Sequence, residues 1–186
     1  MTALAAGLLL ASGAAAAPAT AKQLHAAAAQ GDGVVVLEMV QGGADPNALL
    51  GKDAATPLMT AAARGKTEVI RALLRSGARV DQKDHGGATA LLKTSFPKPD
   101  GVPPGDLARA ASALLSGGAD ANAADENGWR PLLGAAAACN RKLASYLLKA
   151  GADARAENAQ GHNALQYARQ CPDKKLASIL QDAGAN

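Results

Sequence analysis

Aromatic side chains are nearly missing from this chain: one Trp, two Tyr and one Phe in 186 residues. A core of ordinary thickness takes much of its burial from such rings, so a single thick core is excluded. Charge of one sign is also scarce. The formal net charge is +3, and Lys66, Arg71, Arg75, Lys142 and Lys149 read as solvated helix faces rather than a basic stripe. A nucleic-acid binder concentrates its positive charge, so no nucleic-acid partner is expected. Strongly apolar runs of the roughly 20 residues a membrane span needs are missing too, and no stable span is expected. There is no Gly-rich phosphate loop, no G-x-S-x-G and no H-E-x-x-H. Only three histidines occur, His25, His85 and His162, with no third ligand nearby to complete a metal site. No catalytic, cofactor-binding or metal-binding residue is therefore assigned.

Hydrophobic residues still make up 48% of the chain. Alanine supplies much of this, which suits thin layers of closely packed helices. Glycine and proline fall at spaced positions, as punctuation does. The motif G-A-x recurs at Gly43, Gly77, Gly118, Gly151 and Gly184, with spacings of 34, 41, 33 and 33. A second anchor, "KQLH" at Lys22, "TPLM" at Thr56, "TALL" at Thr89, "RPLL" at Arg130 and "NALQ" at Asn163, gives 34, 33, 41 and 33. Both series carry the same single insertion. A fixed period near 33 is the signature of a solenoid.

Each clause decodes physically. Thr56 and Thr89 are N-cap residues; Pro57 and Pro131 follow in the first turn, where a missing N–H is harmless. A short inner helix such as Leu58 to Arg64 leads to a turn at Gly65. An outer helix from about Thr67 to Ser76 places Val69, Ile70, Leu73 and Leu74 on one face. Gly77 takes the left-handed position that ends it. Val80 to Ala88 returns as a polar loop. Small inner residues let the layers approach to about 8–10 Å.

"TPLMTAAARGKTEVIRALLRSGARVD" and "NGWRPLLGAAAACNRKLASYLLKAGADARAEN" resemble the ankyrin repeat, and the likeness runs through residues 22–186. It implies an all-α solenoid of about five helix-turn-helix units with loop fingers: 22–55, 56–88, 89–129, 130–162 and 163–186, within a domain of 20–186. It also implies a non-enzymatic module that binds another protein through its concave face and loop tips, acting as a monomer. The motif histidine survives only as His25, a packing position; Met59, Leu92, Leu133 and Gln166 replace it. Asp45, Asp120 and Asp153 fall where the family caps or bridges units.

The first 19 residues are a separate object. "MTALAAGLLLASGAAAAPAT" has a short apolar run, then small residues with A-x-A patterns, and no charge. It reads as a bacterial secretory signal cut after Ala19, which places the mature chain in the periplasm or outside the cell. The alternative is an Ala-rich tail on a cytoplasmic protein.

Cys139 and Cys171 lie 32 apart, at the turns between inner and outer helices on one edge of neighbouring units. They are either a disulfide, suited to an oxidising compartment, or two small buried thiols. Neighbouring helices stand wider apart than the roughly 7 Å that a disulfide tolerates between Cα atoms, so a bridge relies on the one-residue offset and the turns. The insertion, Lys93–Asp106, carries four prolines. They should stop the inner helix near Phe96 and send an extended excursion along this same edge before Leu107.

Partner contacts are expected at two places. The groove floor is Ala26, Thr60, Lys93, Gly134 and Tyr167. The loop tips offer Leu49, Leu50, Lys52, Asp84, His85, Glu126, Trp129 and His162. Leu49–Leu50 is an apolar pair in a polar loop. Trp129 is either an interface anchor or packing for the next loop. A competing reading is a metal-dependent or catalytic protein using His85, His162 and a cysteine.

Overall fold

The computed structural model describes residues 19–96 and 101–185. Its helices alternate between two layers. The inner layer holds α1 (Ala21–Gln30), α3 (Pro57–Ala63), α5 (Ala90–Lys93), α7 (Pro131–Ala137) and α9 (Ala164–Ala168). The outer layer holds α2 (Gly33–Gln41), α4 (Thr67–Arg75), α6 (Pro104–Ser116), α8 (Arg141–Lys149) and α10 (Lys174–Asp182). Each inner helix packs on the next inner one, each outer on the next outer one, and each pair on itself. Among the described residues the backbone pairs as strand only at isolated bridges, Leu50 with Ala55 and Glu157 with Asn163.

The alanines explain the spacing. Ala61, Ala62, Ala90, Ala135, Ala136 and Ala164 are buried in the inner layer; Leu58, Leu91, Leu132 and Leu165 fill the seam to the outer layer, with Ile70, Leu73, Leu114, Leu143 and Leu147 opposite. At Gly134 the inner layer is tightly closed: an added Cβ would lie 2.7 Å from Ser95 Cβ.

The caps follow the sequence in most units. Thr56, Thr89 and Asn163 accept the N–H of the third residue of their helices, while Arg130 makes no side-chain cap. The first unit differs from expectation. Its helix begins at Ala21, with Thr20 and Gln23 forming a reciprocal capping box, because Thr20 offers the oxygen that Lys22 lacks. Gly77 is left-handed at φ 85°, as its position requires.

The third unit also corrects the sequence reading. The inner helix ends at Lys93, three residues before Phe96, because the Thr94 hydroxyl closes back on the Leu91 carbonyl at 2.7 Å and the turn tightens. The excursion ends earlier as well: Pro104 is already the first residue of α6, where its missing N–H is harmless. Residues 101–106 do run along the inter-helix edge. Val102 and Asp106 cover Gly65, and Asn140 Nδ2 donates to the Pro104 carbonyl at 3.0 Å. Residues 97–100 of that insertion lie outside the described residues, as do residues 1–18, where the secretory signal was expected.

Cys139 and Cys171 occupy the next stretch of this edge. Their sulfurs stand at disulfide distance and their Cα atoms are 5.5 Å apart. Cys139 is exposed and Cys171 buried. The gap closes because Cys139 sits at the turn position itself, with φ 53°, where earlier units have Gly31 and Gly65.

Candidate functional site

Three finger loops are built on one plan. Asp84 Oδ1 accepts from the N–H groups of Gly86 and Ala88; Asp125 Oδ1 accepts from Asn127 and Trp129; Asn158 Oδ1 accepts from Gln160 and His162. A short carboxylate or amide that takes two N–H groups folds its loop into a tight turn. One backbone bond then links each finger to the next: His85 N to Asp53 O, Glu126 N to Gly86 O, and Ala159 N to Asn127 O, all 3.0–3.1 Å.

Nine residues after each of these turn residues comes a groove position, and there the three units diverge. Asp84 Oδ2 pairs with Lys93 Nζ at 2.5 Å. Asn158 Nδ2 donates to Tyr167 Oη at 3.0 Å. Asp125 has Gly134 at this place and no side chain to meet. Asp84 is almost fully enclosed. Burial alone pushes its carboxyl upward, but the Lys93 ammonium and the Ala88 and Gly86 N–H groups outweigh that and hold it below its ordinary value.

Beside this row runs an aromatic ladder. Phe96 and Trp129 have ring centroids 5.9 Å apart, and Trp129 and Tyr167 5.3 Å. His162 meets Tyr167 edge-on at 5.8 Å. Three of the four aromatic residues of the chain thus converge, Phe96 and Trp129 from the two ends of the third unit and Tyr167 from the fifth, all half-buried. Such contacts add about 0.5–1.5 kcal/mol per pair beyond burial.

The remaining candidates separate. Thr60 faces His25 Nδ1 at 2.9 Å, while His25 Nε2–H donates to the Ala48 carbonyl at 2.9 Å. Thr60 is thus tied into the joint between the first two units. Burial lowers the basicity of His25, and the Ala48 carbonyl partly restores it. Leu49 and Leu50 stay exposed, 50% and 37%, as the only large exposed apolar side chains among the described residues besides Val34 and Leu37. Lys52 is exposed, and its carbonyl accepts from His85 Nδ1–H at 2.9 Å. Glu126 is exposed at its tip.

The competing metal or catalytic reading gains no geometric support. His85 points to a backbone carbonyl and His162 to Tyr167. Both sulfurs face each other. Among the described residues no three His, Cys, Asp or Glu side chains gather as metal ligands. No helix among them is long and apolar enough to cross a membrane.

Phe96 and Asp125 were not among the contacts expected from the sequence. Phe96 was legible only as the last residue before a proline run, and Asp125 only as the repeat of Asp84 across the insertion.

Comparison with known families finds one match: the model for ankyrin repeats, described as three copies, over residues 24–94 and 105–186. No curated protein matches.

Proposed function

The chain belongs to the ankyrin-repeat family, and we propose that it works as a non-enzymatic protein-binding module whose main contact surface is the groove between Lys93 and Tyr167. The observation that carries this is the Phe96–Trp129–Tyr167 ladder. A chain so poor in rings spends three of its four aromatics on one half-open strip. Aromatic anchors dominate binding energy at interfaces because they bury large area at low entropy cost. The rest of the surface is preorganised by caps and finger links. Leu49 and Leu50 form a second, apolar contact at the first finger.

The module acts as a monomer in the periplasm or outside the cell. The short apolar run and A-x-A patterns of residues 1–19 support export, and so does a cysteine pair at disulfide distance, since such bonds persist in oxidising compartments.

Crosslinking in intact cells, followed by identification of the captured protein, tests the binding reading. Trp129→Ala should abolish capture and Leu49→Ser/Leu50→Ser should weaken it. Undiminished capture by Trp129→Ala, with the chain folded, would remove the groove from the account.

A further inference from the structure

We propose that Asp125 is the seat for one basic side chain, Lys or Arg, presented by the protein partner. This rests on the protein-binding reading above and names the chemistry of its central contact. In the unit before, the equivalent carboxylate is closed by the chain's own Lys93 at 2.5 Å. In the unit after, the equivalent amide is closed by Tyr167 at 3.0 Å. Only at Asp125 is the position across the groove a glycine. The glycine is required there: a Cβ on Gly134 would stand 2.7 Å from Ser95 Cβ and 3.3 Å from the Ser95 backbone carbonyl. No side chain of this chain fits there to neutralise Asp125.

The carboxylate keeps one oxygen on the Asn127 and Trp129 N–H groups, and among the described residues no ion pair reaches it. The nearest candidate internal cation, Lys83, donates to the Ala124 carbonyl at 2.9 Å, and no ion pair joins it to Asp125. The ladder supplies the second half of the recognition. The Trp129 backbone N–H donates to the carboxylate, and Phe96 and Tyr167 stack against the Trp129 ring. A carboxylate and a tryptophan in one loop favour a cation over an apolar group, because the ring quadrupole and the negative oxygen attract the same charge.

The chain has one tryptophan, and it sits on the proposed seat, so its fluorescence reads binding there. The probes are Nα-acetyl-arginine amide and Nα-acetyl-lysine amide, against Nα-acetyl-norleucine amide. Both cationic probes should change Trp129 emission saturably, and norleucine should not. Asp125→Asn should weaken the cationic probes about tenfold, the scale of one charge-assisted hydrogen bond, whereas Glu38→Gln, at an exposed carboxylate on the outer helix α2, should leave them unchanged. Asn158 makes the same two N–H bonds as an amide, so Asp125→Asn keeps the loop. Equal response to norleucine, or unaltered arginine binding by Asp125→Asn, overturns the proposal. In the crosslinking experiment, capture lost by Trp129→Ala but retained by Asp125→Asn would leave the binding function standing and this inference refuted. No capture by the unaltered chain would instead count against the binding function itself.

Discussion

Cys139 reaches Cys171 of the following unit from a left-handed backbone, φ 53°, that the first two units assign to Gly31 and Gly65. A side chain in that conformation costs about 1–2 kcal/mol, and cysteine is retained there because it spans the units. Cutting the link with Cys171→Ala should lower stability by about 2–4 kcal/mol under oxidising conditions. Adding Cys139→Gly to that variant should then return about 1 kcal/mol, since the strain no longer serves a bridge. Urea unfolding measures both steps. A double variant no more stable than Cys171→Ala would show that the turn carries no strain.

Lys93→Met should leave the Asp84 carboxylate enclosed without its cation and reduce stability by about 1–2 kcal/mol at neutral pH, a figure kept low because Lys93 is itself partly exposed. The pH dependence has a definite sign. Asp84 is held below its ordinary value when folded, so its contribution is complete above about pH 4 and is lost as pH falls through the lowered folded value. The Lys93→Met variant should show a shallower acid-side loss in urea midpoints between neutral pH and about pH 2.

His25 titrates with the same slope for a different reason. Its folded form resists protonation because it is buried, while the unfolded chain takes up a proton near pH 6.5. The first unit should therefore loosen as pH drops below about 6.5, seen as faster hydrogen exchange in α1. His25→Gln should flatten that dependence. Exchange in α1 that is independent of pH-linked stability in the unaltered chain would contradict it.

Gly134→Ala should destabilise the chain by about 1–3 kcal/mol through overpacking against Ser95. Ser95→Gly in the same chain should recover part of the loss, because it removes the nearest atom, and the Ser95 backbone accounts for the remainder. Thermal unfolding of the three variants distinguishes this from a general intolerance of glycine replacement in α7.

The solenoid was legible in the sequence because its determinants are local and repeat: a capping Thr, a proline in the first turn, alanines inside, a left-handed glycine at the end. What the repeat register could not place was whatever depends on two units at once. Thr60 read as a groove contact, yet its hydroxyl faces His25. Asp84 and Lys93 read as two separate contacts and are one ion pair. Phe96 read only as the end of a helix because its partner Trp129 lies beyond the insertion. The inner helix of the third unit ended early because Thr94 bonds its own helix, a competition that the proline pattern does not reveal.

The finger loops are joined at each step by a backbone N–H to carbonyl link, from Asp53 through Gly86 to Asn127, with a side-chain donor beside it, His85, Lys83 and Arg130 in turn. Links repeated at the same place in every unit set a constant pitch for the tips. Whatever docks across several fingers must bring contact points at the spacing of the units themselves.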